Sequence, residues 1–252
     1  MLSPPIVGFA RGFMAPISAA KHVLGTPRAW PFAAVPAIVF AALETGVVLA
    51  SWQYLKPWVE QSVGGGKVGW LLSVLSVLAL AVLGWWLSLQ LAQVLSAPAL
   101  ERIVGIVERD LGAPERAPLG FFTELLCGLR ATALSLAVTL PLIVGLTLLE
   151  LVASPLAVVT TPLKLLIAAL GLAWSMFDYP LTLRGMGVSA RLHFATRHFS
   201  AVLGFGVAIF LVFWVPCFIV LMLPVGVAGA TRLYWEIQRA SPSPARAPEQ
   251  LG

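Results

Sequence analysis

The sequence predicts an all-α, polytopic integral membrane protein in which long transmembrane helices stand beside helical hairpins that only partly penetrate the bilayer. Three observations carry this expectation. The 252 residues are 59% hydrophobic and 11% charged, with a mean hydropathy of +0.93, whereas a soluble domain carries about 25% charged residues. Two stretches, Val68 to Leu100 and Phe199 to Thr231, each run 33 residues without a charge. The basic residues fall in short segments between apolar runs. The net charge of +5 and pI near 9.7 therefore read as the lysine and arginine excess of cytoplasmic loops, and the lack of a basic stripe or recognition motif excludes nucleic acid as a partner.

Along the chain, residues 1 to 30 place Arg11, Lys21, His22 and Arg28 among apolar residues, the pattern of a helix lying in the headgroup layer. The early prolines and the absence of a basic leader predict that no secretory signal is removed. A first span is expected from Trp30 to about Leu55, flanked by Trp30, Trp52, Tyr54 and Trp58 as interfacial aromatics. Gly64-Gly65-Gly66 then supplies a turn. The block from Val68 would rise roughly 50 Å as one helix, more than a hydrocarbon core of about 30 Å. Pro98 marks the expected break. Beyond it, Leu100, Ile103, Val104, Val107 and Leu111 alternate at helical spacing with Glu101, Arg102, Glu108, Arg109 and Asp110, predicting a two-faced helix outside the bilayer that ends at Gly112-Ala113-Pro114.

Residues 115 to 130 are mixed, and Ala131 to Leu149 forms a charge-free segment closed by Glu150. The 13 residues from Leu151 to Leu163 are short enough to predict a re-entrant or interfacial piece. Leu165 to Phe177 stays apolar up to Asp178, and a basic loop with Arg184, Arg191 and Arg197 follows.

The last apolar block, with Pro216, Pro224 and several glycines, fits either one long span or a hairpin of two short helices. Loops 1–30, 101–130 and 184–198 hold ten basic residues, Lys56 and Lys67 lie across the membrane, and Lys164 is unplaced. A hairpin keeps Arg232, Arg239 and Arg246 with the ten, so the hairpin is favoured. Both termini are then cytoplasmic. Residues 1–239 form a single membrane domain, and 240–252, rich in Pro and Ala, a disordered tail. Cys127 and Cys217 have no partner at disulfide or zinc spacing and read as packing residues.

Several motifs in series resemble a known family. They are Leu95-Ser96-Ala97-Pro98, Trp174-Ser175-Met176-Phe177-Asp178-Tyr179-Pro180, Leu203-Gly204-Phe205-Gly206, Val215-Pro216 and Leu223-Pro224-Val225-Gly226 through Thr231, with Pro27 and Pro36 around the first segment. In this order they are similar to the CysZ sulfate permeases and the related etoposide-induced membrane proteins, over residues from about 8 to 235. The resemblance implies an inner-membrane protein that carries sulfate or a similar small oxyanion, or a non-transporting scaffold of the broader family. The family's permeases pair two basic residues where this chain has Arg28 alone, and Phe40 and Ile219 stand where asparagines are common.

Nucleotide, zinc-peptidase and serine-hydrolase signatures are absent, so no enzyme activity, cofactor or metal site is expected. Arg28 with Thr26 is the first candidate anion contact, a guanidinium beside the N–H groups of a helix start. The second is Thr160-Thr161-Pro162-x-Lys164, with Thr161 read as a cap, Pro162 as the first helical residue and Lys164 in the first turn. Glu44 lies 14 residues into an apolar segment, where a carboxylate must meet protein, water or a proton; it is read as a coupling group or a buried partner. Asp178 is expected to cap a turn or pair with a basic residue, and Gly204 and Gly206 to allow close helix contact. The sequence leaves a homo-oligomer open.

Overall fold

The computed structural model describes residues 5–64, 66–114, 121–213 and 218–240. The expectations for Gly65, Arg116, Val215, Pro216, Cys217 and most of the C-terminal tail, and for the side chains of Cys127 and Ile219, lie outside these. Ten α-helices occur among the described residues: α1 (Pro5–Gly25), α2 (Trp30–Ala50), α3 (Lys56–Ser62), α4 (Gly66–Leu95), α5 (Ala97–Asp110), α6 (Phe121–Val152), α7 (Ala157–Leu183), α8 (Val188–Arg197), α9 (Phe199–Phe213) and α10 (Phe218–Ala240). No strand occurs among them.

The first span is longer than the sequence suggested. A 3-10 turn at Pro27–Ala29, α2, a π-helical turn at Ser51–Leu55 and α3 form one apolar rod from Pro27 to Ser62. Pro57 lacks the N–H that would close a bond to Gln53, and the wider π turn lies at that point. α4 returns antiparallel: Phe40 meets Trp85, Gly84 lies against Val47, and Ser73 donates to Glu60 at 3.1 Å. Among the described residues, this rod, α4 and α7 are each long and apolar enough to cross a bilayer. α4 ends at Leu95 and α5 begins at Ala97, so Pro98 occupies the first turn of the new helix, where a missing N–H costs nothing.

α6 and α7 form a second antiparallel pair, with Glu150 beside Thr160 and Lys164 and Thr139 against Gly171. This corrects the expectation of a separate re-entrant piece at 151–163. Val152 ends α6, a 3-10 turn occupies Ser154–Leu156, and Ala157 already starts α7. Apolar residues continue through the turn because it lies in or near lipid, so hydropathy does not mark it.

The hairpin reading of the last block holds for the described residues. Phe205 lies near Gly229 and Ile209 near Gly226, so α9 and α10 run antiparallel. The 15 residues of α9 rise about 22 Å, short of a core of about 30 Å. α1 lies across the base of this hairpin, its Gly8 against Ser200 and its His22 within 3.0 Å of Asp110. Gly8, Gly12, Ala15, Ala19 and Val23 make the buried stripe of α1, while Ile6, Met14, Ile17 and Leu24 face outward. The α1–α9 crossing depends on missing side chains. A Cβ at Gly12 would collide with the Ala201 carbonyl oxygen, and one at Gly204 with that of Phe9. Without a hydrophobic drive between helices in lipid, such backbone approach supplies the contact.

Charged residues gather where α5, α7, α8 and α10 meet, and this is called the charged end. Gly112 (φ 64°) and Gly185 (φ 70°) close α5 and α7 there in the same way. The Ala113 N–H donates to the Glu108 carbonyl at 2.8 Å and the Met186 N–H to that of Leu181 at 3.1 Å. The left-handed backbone at each glycine lets the chain turn back on the last carbonyls.

Gly204→Val should lower the thermal stability of the detergent-solubilised protein by about 1–3 kcal/mol, the range for overpacking a tight contact. Gly25→Ala, where an added Cβ meets nothing within 4 Å, should leave the melting temperature unchanged.

Candidate anion sites and the charge network around them

Arg28 and Thr26 stand together at the start of the Pro27–Ser62 rod. Thr26 is in extended conformation as the residue preceding the 3-10 turn, its side chain makes no capping bond, and its carbonyl accepts from the Ala29 N–H at 2.9 Å. Arg28 is exposed and forms no ion pair among the described residues. The 3-10 turn touches both α1 and α5, which places Arg28 at the charged end.

Lys164 lies at the other end of the molecule. Its Nζ is 2.6 Å from Glu150 Oε2. The Thr160 hydroxyl donates to Glu150 Oε1, and Thr161 approaches the same oxygen at 3.4 Å. Twenty residues separate Lys164 from Arg184 on α7, about 30 Å at the helical rise. The structure thus brings Arg28 together with Thr26, and Lys164 with Thr161, but keeps the two pairs at opposite ends.

The helix-start reading of the second motif needs correction. α7 begins at Ala157 after Leu156, so Thr161 caps nothing, and Pro162 and Lys164 lie in the second turn rather than the first. Pro162 sits inside the helix, as prolines do in lipid when neighbours accommodate the freed carbonyl. Lys164 is therefore paired with Glu150, whose role the sequence did not suggest, and does not stand at a helix start. Lys56 with Glu60 (3.0 Å) pairs in the same way near the end of the first rod.

Glu44 sits midway along α2, half-buried, and its Oε2 is buried with no hydrogen-bond partner. Arg28 is 16 residues away on the same rod. Glu44 is therefore remote from Arg28.

The most buried charges belong to a network that sequence reasoning touched only at Asp178. Asp178 and Arg191, 3% and 5% exposed, form an ion pair, and Arg191 also donates to Thr182 at 2.7 Å. Arg191 thus lies inside the protein, not in the solvated loop its sequence position suggests. Arg184 donates to Glu108 at 2.6 Å through Nη2 and at 3.1 Å through Nε. The same guanidinium stacks 4.2 Å from the Trp235 ring centre, adding a cation–π contact. The Tyr179 hydroxyl donates to the Ala97 carbonyl. Glu101 and Glu108, one heptad apart, turn inward from α5, which corrects their placement on its solvated face. The spacing of seven was the available signal, since it puts both carboxylates on one side of a helix.

This network fastens α5, α8 and α10 to the end of α7. Removing one member of a buried pair leaves the other uncompensated, at a cost of about 3–5 kcal/mol. Asp178→Ala should cost that much in unfolding experiments in micelles, and Asp178→Leu combined with Arg191→Met should recover most of the loss. A double variant no more stable than the single one would disprove the coupling.

Among the described residues, no group of three or more histidine, cysteine or acidic side chains is arranged to hold a metal. Comparison with known proteins supplies the remaining observation. The family model described as Sulfate transporter CysZ/Etoposide-induced protein 2.4 matches residues 15–224. The chain is also similar to the Sulfate transporter CysZ of Pseudomonas fluorescens (strain Pf0-1), with 25% identity over 219 residues, covering 83% of this chain and 87% of the relative. The match spans both apolar rods, the α6–α7 pair and most of the α9–α10 hairpin, and on that extent the chain belongs to the CysZ/etoposide-induced protein family of membrane proteins.

Proposed function

We propose that this protein moves a small oxyanion, sulfate, across the inner membrane, with Arg28 as the first contact. The observation that carries this reading is the state of Arg28. It is exposed, unpaired among the described residues, and set beside Thr26 where the longest apolar rod begins. A guanidinium offers a planar set of donors to a tetrahedral oxyanion, and N–H groups at a helix start add to them. The inorganic anion named for the Pseudomonas fluorescens relative agrees with this chemistry. Lys164 and Thr161 form a second contact on the opposite face, where an incoming anion competes with Glu150 for the ammonium.

Orientation follows from charge. The charged end holds Arg102, Arg109, Arg184, Arg191 and Arg239, and basic residues mark the cytoplasmic side. Both chain ends are then cytoplasmic, and Lys56 and Lys164 face away from the cytoplasm. The reading assigns the protein no covalent chemistry.

Glu44 is proposed as a coupling group. A carboxyl inside a membrane helix must meet protein, water or a proton, and one oxygen of Glu44 is buried without a hydrogen-bond partner. The second functional reading, a scaffold that moves nothing, draws on the neutralised state of Lys164.

Reconstituted protein should show saturable uptake of radiolabelled sulfate above empty liposomes, and Arg28→Ala should reduce it about tenfold or more, the loss expected from removing a charge-assisted contact of roughly 1.5–3 kcal/mol. Absence of saturable flux would sink the transport reading and leave the scaffold. Glu44→Gln should preserve the fold and flatten the pH dependence of uptake. An unchanged pH profile would remove Glu44 from the mechanism.

A further inference from the structure

A groove of about 380 Å³ opens between α6, α7 and α8. Its walls are Leu134, Val138 and Leu142 from α6, Leu170 and Trp174 from α7, and Leu192 from α8. Its floor is the close contact of Gly171 with Thr139, where a Cβ on the glycine would lie 2.6 Å from the threonine hydroxyl. The absence of a side chain at Gly171 thus lets α6 and α7 approach closely beneath the groove. Leu134 to Leu142 rise about 12 Å along α6, comparable to one leaflet of a hydrocarbon core of about 30 Å.

One end of the groove has a polar mouth. Arg130 precedes Leu134, Val138 and Leu142 at successive spacings of four, which places it on the same face of α6, one turn beyond the apolar walls. It is exposed, makes no ion pair among the described residues, and stands near enough to Asp178 for their charges to interact. Asp178 follows Trp174 by one turn and is already held by Arg191. α8 meets α9 at 91°, and its Val188 and Leu192 line the groove. An apolar slot that ends at an arginine without an ion-pair partner among the described residues is complementary in shape and charge to a single anionic phospholipid.

We propose that this groove binds an anionic glycerophospholipid, with one acyl chain between α6 and α7 and the phosphate on Arg130. Cations between membrane helices recognise anionic headgroups, each basic residue contributing about 1 kcal/mol near the surface. An apolar ligand face alone would not distinguish lipids, because hydrocarbon tails are alike; Arg130 provides the selection. The site is separate from Arg28 and Lys164, and its occupancy is read without any measurement of transport.

The test uses the full chain in phosphatidylcholine liposomes doped with a photoreactive acyl-chain analogue of either phosphatidylglycerol or phosphatidylcholine, followed by peptide mapping. Phosphatidylglycerol should label peptides containing Val138 and Leu170 about fivefold more than phosphatidylcholine, the ratio expected from one basic residue at the surface. Arg130→Gln should bring the two lipids level, Arg130→Lys should retain most of the preference, and Val138→Trp should reduce labelling by both. Equal labelling by the two lipids in the unaltered protein, or a preference that survives Arg130→Gln, would overturn the proposal. So would disulfide-linked dimers of a Val138→Cys variant, which would show that a second copy covers the groove.

Discussion

A charge in hydrocarbon must meet an opposite charge, a proton or water, and this requirement arranges the rest of the molecule. Lys164 is held by Glu150, Lys56 by Glu60, Arg191 by Asp178 and Arg184 by Glu108. Three of these pairs are also joints. The first closes the far turn of the α6–α7 pair, and the last two fasten α5 and α8 to the base of α7. Pairing is thus how a protein with 11% charged residues fixes helices that apolar contact alone leaves free to slide, since lipid tails compete equally for apolar surface.

The second device is close approach. α1 and α9 meet backbone to backbone at Gly12 and Gly204, and Gly206 meets the Ala169 carbonyl of α7 in the same way. Phe205, between the two glycines, is fully buried against Phe177, with ring centres 5.0 Å apart. Alternation of no side chain, a large one and none again lets one short helix contact α1 on one side and α7 on the other. The Gly-Phe-Gly motif is therefore an assembly element, consistent with its reading as a helix contact.

Much of this was legible in the sequence because lipid imposes simple rules. Charge-free length located the rod of α2 and the span of α4, and the charge count chose the two-helix arrangement that α9 and α10 adopt as an antiparallel pair. The failures share a cause. The turn at Ser154–Leu156 carries no break in hydropathy, so residues on either side merged into one false segment. Pro162 read as a helix start because prolines in water rarely sit inside helices, a rule that weakens in a bilayer. Glu108 and its partner Arg184 are 76 residues apart, and no local periodicity links them. Of the candidate site residues, the pairing of Thr26 with Arg28 and of Thr161 with Lys164 was readable as proximity in sequence, whereas the compensation of Lys164 by Glu150 required the fold.

The shortness of the α9–α10 hairpin has a consequence for the membrane around it. From Phe199 to Phe213, and from Phe218 to Arg232, each arm provides 15 residues, about 22 Å of helix in a core of about 30 Å. The far leaflet must then curve inward to meet the hairpin or leave apolar surface facing water. Curving a leaflet by several ångströms costs elastic energy, a fraction of a kcal/mol per ångström. That cost is smaller in a thin bilayer, so the stability of the hairpin depends on the thickness of the bilayer around it.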